Sequence, residues 1–287
     1  MSYVGRFAPS PTGPLHFGSL VAALASWLDA RGAGGRWLLR IEDLDRPRVM
    51  PGASETILRQ LERLGLAWDG EVTYQSGRLD YYREALARLA PHSYACACTR
   101  KELEDSALAI DGSRIYPGTC RDGLPPGRSP RAIRLRTHPE PIVFTDRAQG
   151  EVRCSLLTEQ GDYVLLRADG LFAYQLAVVV DDAAQGVTDV VRGADLLDST
   201  ARQIHLQQLL GLATPRYLHV PVAVTPRGEK LSKQTRAAEI TCADLAPALS
   251  FLGMSLPRDL ASGETLAWAT KAWNSSAIPR RRSIAVT

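Results

Sequence analysis

The order of elements at the start of the chain constrains its fold more than any other feature. Tyr3-Val4-Gly5-Arg6-Phe7-Ala8 reads as a short strand, and Pro9-Ser10-Pro11-Thr12-Gly13-Pro14 as the loop that ends it. Over 19–30, Leu20, Ala23, Leu24, Trp27 and Leu28 recur with helical period. Gly32 to Gly35 stops that helix, and Trp37-Leu38-Leu39-Arg40-Ile41 is a second strand. Strand, loop, helix and strand in this order form a βαβ unit, the seed of an α/β fold with a parallel, doubly wound sheet. Ligands of such sheets lie beyond the carboxyl ends of the strands, here near 8–10 and 41–43.

Two further amphipathic helices are expected over 54–64 and 79–89. The texture then changes. Residues 91–170 hold three clustered cysteines, a Pro/Gly/Arg-rich stretch at 124–130 and strand-like alternation at 132–136, and read as an insertion in the sheet domain. The α/β character returns with apolar runs at 176–180 and 187–191 and a helix at 199–210. The predicted organisation is a Rossmann-like domain over 1–240, carrying that insertion, and a short helical C-terminal region over 241–287. The last residues, with Arg280-Arg281-Arg282, read as a frayed, solvated tail.

With 45% hydrophobic and 23% charged residues, the chain has the material for a core. No apolar run approaches the roughly 18 residues of a membrane span, and Asp181 and Asp182 cut the run at Val178–Val180. The start lacks a basic segment followed by an apolar one, so the expected location is cytoplasmic. Five cysteines, an odd number, argue against a disulfide framework. A net charge of +3 permits an RNA partner without requiring one. Of 34 basic residues only Lys101, Lys230, Lys233 and Lys271 are lysines, so two of them three residues apart mark Gly228-Glu229-Lys230-Leu231-Ser232-Lys233-Gln234 as a place for compact ammonium charge.

That loop suits a polyphosphate whose charge grows in a transition state. Pro9–Ser19 offers a second phosphate site: His16 and Gly18 stand just before a helix N-terminus, where free backbone N–H groups and the dipole favour an anion. Taken alone, each has an ordinary reading, a surface histidine in a strand-to-helix loop and a solvated basic loop.

Together the two loops resemble the signature pair of class I aminoacyl-tRNA synthetases. Arg6-Phe7-Ala8-Pro9-Ser10-Pro11-Thr12-Gly13 with Leu15-His16, and Arg40-Ile41-Glu42-Asp43-Leu44-Asp45, resemble the glutamyl-tRNA synthetase catalytic domain. So do Tyr174-Gln175-Leu176-Ala177-Val178-Val179-Val180-Asp181-Asp182 and Val191-Arg192-Gly193-Ala194-Asp195-Leu196-Leu197, and the match runs in order over about 3–240. Only about fifty residues follow the lysine loop, too few for the anticodon-binding region of a discriminating glutamyl-tRNA synthetase. That length, with Ser19 at the fourth position of the first signature and Gln234 at the last of the second, resembles the glutamyl-queuosine tRNA(Asp) synthetases, which attach glutamate to the queuosine base at the wobble position.

The resemblance implies ATP-dependent formation of glutamyl-adenylate, with Mg²⁺ accompanying ATP, and transfer of glutamate to the anticodon stem-loop of tRNA(Asp) by a monomer. His16, Gly18, Lys230 and Lys233 are the implied catalytic residues, and His16, Gly18, Ser19 and Lys233 the ATP contacts. Glutamate, with two carboxylates and one ammonium, wants guanidinium groups, one anion and a hydroxyl. Arg6, Arg192, Glu42 and Tyr174 supply these and map onto the family's amino-acid site, with Phe7, Ala8, Pro9 and Ser10 along the loop. Ordinary readings exist here too, an Arg-paired acid for Glu42 and core packing for Tyr174.

Cys96, Cys98 and Cys120 offer three thiolates to a structural zinc ion, which takes four ligands. Spacing alone points to His92 as the fourth, whereas the resemblance points to Tyr116. Rival readings are a minimal glutamyl-tRNA synthetase charging a tRNA 3′ end, a small-molecule adenylate-forming ligase, and an inactive zinc-bearing RNA-binding module. The last conflicts with the presence of His16, Gly18, Lys230 and Lys233.

Overall fold

The computed structural model describes residues 2–229 and 240–286. The expected catalytic residues Lys230 and Lys233 lie outside the described residues, as does Gln234.

The chain opens with β1 (Val4–Phe7), α1 (Phe17–Gly32) and β2 (Arg36–Ile41), and β1 pairs with β2 in parallel, from Val4 opposite Arg36 to Phe7 opposite Leu39. The helix starts two residues before the apolar period because His16 caps it, its Nδ1 accepting the Ser19 N–H at 3.3 Å. The return into β2 demands glycine: a Cβ on Gly35 would sit 2.5 Å from the Tyr3 carbonyl oxygen. Next come α2 (Ala53–Arg63), β3 (Thr73–Tyr74), which extends the sheet beside β2, and α3 (Leu79–Arg88).

The insertion contributes β4 (Ser93–Cys96), β5 (Ala132–Leu135), β6 (Ile142–Asp146), β7 (Gly150–Cys154), a single turn α4 (Leu156–Glu159) and β8 (Tyr163–Leu166). Strands β4, β5 and β8 make a separate antiparallel sheet. The β6–β7 hairpin leaves it and joins the main sheet, a division that the uniform texture of 91–170 did not announce.

The second half supplies α5 (Tyr174–Ala184), β9 (Asp189–Gly193), α6 (Thr200–Leu210), β10 (Arg216–Val220) and β11 (Val222–Val224). Strand β9 pairs with β10 in parallel, and β6 flanks β10. Two hydrogen bonds of 2.9 Å, Thr188 N–H to Val4 O and Val4 N–H to Thr188 Oγ1, lay the start of β9 beside β1. The strand order therefore reverses between β1 and β9, which is where an open α/β sheet offers its ligand crevice.

One face carries α1 with α7 (Leu245–Phe251) and α8 (Thr265–Ala272), and the other carries α3, α5 and α6. The apolar run 176–180 is the middle of α5, buried from Leu176 through Asp182. Contrary to expectation, the tail is docked. Strand β12 (Ser283–Ala285) pairs in parallel with β11, and Arg282 Nη1 donates to Asp198 Oδ2 at 2.9 Å. The open edge of β11 supplies the backbone partners that an exposed tail would otherwise seek in water. Among the described residues, no helix is long and apolar enough to cross a membrane.

Candidate active site

A cavity of about 330 Å³ opens at the carboxyl ends of β1 and β9. Its lining brings together Arg6, Phe7, Ala8, Pro9, Ser10, His16, Gly18, Ser19, Tyr174 and Arg192, so the described residues picked for glutamate and ATP, Glu42 excepted, line one cavity. Glu42 stands apart. It lines a second cavity of about 280 Å³, which meets the first at Ser10, Thr12 and Tyr174. Asp195 is the acid on the wall of the first cavity.

The two arginines are held in place by different means. Arg6 is buried, its Nε 3.2 Å from Asp182 Oδ1, and Asp182 also takes Arg40 Nη2 at 2.8 Å. Burial raises the Asp182 carboxyl, but Arg6 and Arg40 on either side hold it below its ordinary range. Helix α5 delivers Asp182 beneath the ends of β1 and β2, which is why an otherwise apolar helix carries two adjacent acids. Asp181 next to it receives Gln75 Nε2 and the Tyr82 hydroxyl, each at 2.8 Å. Glu42, 3.4 Å from Arg40, is fenced by the same network. Burial pushes its carboxyl up to about 7, against the pull of Arg40 and Arg6.

Arg192, on β9, leans on a neutral group instead. Its Nε donates to His219 Nε2 at 2.9 Å, Nη2 donates to Thr200 Oγ1 at 2.9 Å, and Nη1 reaches the Tyr174 hydroxyl at 3.4 Å. A ring nitrogen that accepts from a guanidinium carries no proton, so the His219 proton sits on Nδ1 and is donated to Asp146 Oδ2, 2.6 Å away. Complete burial depresses the His219 imidazole to about 4, with Asp146 opposing and Arg192 reinforcing that shift. Asp146 arrives on β6, the strand borrowed from the insertion. Asp146, His219 and Thr200 were invisible to sequence reading, since nothing local ties residues 73 positions apart in the chain.

At the other end of the cavity, the N-terminus of the 16-residue α1 points its dipole into the space, with no acid in its first turn. With Nδ1 of His16 accepting from Ser19, the ring proton lies on Nε2. Gly18 and Ser19 line the cavity beside it. An anion bound there meets the positive end of the dipole and a histidine donor.

The insertion holds a second constellation. Cys96, Cys98 and Cys120 have sulfurs within 4.8 Å of one another, and the Tyr116 hydroxyl lies 3.4 Å from Cys96 Sγ and 3.5 Å from Cys98 Sγ. The Cys98–Cys120 separation is 3.7 Å, and a tetrahedron with metal–sulfur bonds of about 2.3 Å has edges of about 3.8 Å. The four donors can hold a metal ion, with Tyr116 in the place that spacing had suggested for His92. Arg134 lies 3.8 Å over the Tyr116 ring, and its Nε is 3.3 Å from Cys96 Sγ, where it offsets thiolate charge.

Residues 3–245 match the model of the family described as tRNA synthetases class I (E and Q), catalytic domain. A glutamyl-Q tRNA(Asp) synthetase of Aromatoleum aromaticum is 60% identical over 97% of this chain and 91% of its own length. One from Dechloromonas aromatica is 58% identical over 98% and 97%. Among solved structures, a glutamate-tRNA synthetase from Elizabethkingia anophelis superimposes with a TM-score of 0.83 at 26% identity, covering all of this chain and 68% of the other.

Proposed function

The chain belongs to the class I tRNA synthetases of the E and Q family, within its glutamyl-Q tRNA(Asp) synthetases, and from that membership we infer how its residues serve the reaction. It is an ATP-dependent ligase that activates glutamate and transfers it to the queuosine of tRNA(Asp). The observation that carries the assignment of roles is the convergence, in one cavity, of two buttressed guanidinium groups and a helix N-terminus.

In the first step a glutamate α-carboxylate oxygen attacks the α-phosphorus of ATP. A P–O bond forms, the bond to the β-phosphate oxygen breaks, and pyrophosphate leaves. Arg6 and Arg192 take substrate carboxylate, the Tyr174 hydroxyl orients it, and Asp195 or Glu42 receives the ammonium. His16, with the Gly18 backbone N–H, stabilises charge on the phosphates. Lys230 and Lys233 are proposed to complete that stabilisation from outside the described residues, and Mg²⁺ to accompany ATP. In the second step a queuosine hydroxyl oxygen attacks the acyl carbon, its proton leaves, and AMP departs. The adenylate is already activated, so positioning supplies much of the acceleration.

We assign the Cys96, Cys98, Tyr116 and Cys120 site to zinc in a structural role, since all four positions are filled by protein. A tRNA substrate supports a cytoplasmic location. The test is transfer of radiolabelled glutamate to tRNA(Asp) with and without queuosine, beside tRNA(Glu). Label on queuosine-bearing tRNA(Asp) alone is the expected result, and label on tRNA(Glu) would overturn it.

A further inference from the structure

The second cavity does not end at the insertion. Val164 and Arg167 line both it and a third depression of about 570 Å³ between the metal cluster and the Arg167 turn. Since the first and second cavities share Ser10, Thr12 and Tyr174, the three depressions adjoin one another from the helix N-terminus across to the insertion. Four arginines line the third. Arg134 is committed to Cys96 and the Asp162 carbonyl, and Arg167 to Asp45 and Asp169. Arg100 and Arg131 are exposed on the wall, and among the described residues neither has a carboxylate partner. Nearby Arg128 shows the usual alternative, paired with Glu102 at 2.8 Å.

We propose that this arginine-lined groove carries the RNA phosphates flanking the acceptor nucleotide, with Arg100 and Arg131 as backbone contacts. The inference rests on the reaction assigned above. The second cavity adjoins the first and offers the acceptor nucleoside Phe172 as an aromatic wall. The nucleoside's neighbouring phosphates then emerge at Arg167, and beyond it lie two cations that no described carboxylate neutralises. Anticodon-loop RNA is single-stranded and negatively charged along its whole length, so guanidinium groups without a described carboxylate partner, on the insertion side of the second cavity, match it in sign and position.

The experiment uses the full chain and its Arg100→Ala/Arg131→Ala variant, in two assays. Glutamate-driven ATP–pyrophosphate exchange should be unchanged in rate and in KM for glutamate, because neither residue lines the first cavity. Glutamylation of queuosine-bearing tRNA(Asp), followed over a series of salt concentrations, should show a KM for tRNA raised about tenfold at low salt. The log–log salt slope should be shallower by about 0.7 for each arginine removed. Arg100→Lys/Arg131→Lys, which keeps the charge, should recover most of that slope, and it decides the matter if the alanine variant loses exchange through misfolding. An unchanged KM and slope, or a raised KM with an unchanged slope, would overturn the groove. Wild-type protein that performs exchange but labels no RNA would instead overturn the assigned reaction.

Discussion

The first cavity and the insertion meet through a chain of shared residues, yet they treat charge in opposite ways. Around the cavity every guanidinium has a partner that fixes it: Asp182 holds Arg6 and Arg40, and the neutral His219 holds Arg192. In the groove of the insertion, Arg100 and Arg131 have no carboxylate partner among the described residues. Packing differs as well. The core around α1 runs from Tyr3 to Ile278, whereas the metal-site region buries little beyond Cys96, Ala97, Tyr116 and Cys120. A small zwitterion is discriminated by groups fixed before it arrives, and fixing them requires buried counter-charges and a rigid sheet. A polyanion needs charge density more than exact placement, and a segment with so little apolar burial would be stabilised by an ion held between its three thiols.

Removing the counter-charge of the cavity should have the largest effect. Asp182→Ala leaves buried Arg6 without its carboxylate and Arg40 with only Glu42 and Asp181, and should cost about 3–5 kcal/mol, read as a drop in thermal midpoint. A midpoint close to wild type would mean that Arg6 and Arg40 are not fixed by Asp182. Arg192→Ala comes next. Truncating a buried, hydrogen-bonded charge partner costs about 2–5 kcal/mol, so glutamate-driven exchange should fall roughly a hundredfold or more in a protein that still folds. Normal exchange would remove Arg192 from the site.

Metal removal tests the other side of the comparison. Freshly purified protein should contain about one zinc per chain, and chelation should lower transfer to tRNA by about tenfold while exchange persists. Loss of both activities together would show that the two regions are one cooperative unit. The smallest effect concerns pH. The His219 imidazole, held at about 4 against an ordinary 6.5, binds fewer protons in the folded state than in the unfolded one between those values. Its contribution to stability is therefore complete above about 6.5 and is lost as the pH falls toward 4. Protonation also removes the acceptor for Arg192, so the KM for glutamate should rise about twofold as the pH approaches 4, and His219→Gln should flatten that rise. A wild-type KM that stays flat over this range would separate His219 from substrate binding.

Much of this was legible in the sequence because it is local. The βαβ start, the loop through His16 and the cysteine cluster are each written in consecutive or closely spaced residues, and helices α2 and α3 fell within a residue of the ranges that periodicity gave. Asp146 and His219 were not legible. Their pairing depends on a hairpin that leaves the insertion for the main sheet, and β6 carries no mark distinguishing it from its neighbours. The tail was misread for a related reason: three residues pairing with the edge of β11 show no periodicity. At the metal site, spacing alone pointed to His92 because a phenol is an unusual ligand, the resemblance pointed to Tyr116, and the fold sets the Tyr116 oxygen against the thiols.

Asp29, in the middle of α1, accepts hydrogen bonds from the Tyr3 hydroxyl, from Arg147 of the insertion and from the Trp273 indole. The last partner is 244 residues downstream. At about 5–20 residues per second, a ribosome makes that partner some 12–50 s after α1. Throughout that interval the Trp273 indole is missing from the Asp29 carboxylate and α8 from its place against α1, so the N-terminal βαβ unit leaves the ribosome well before its packing can be completed.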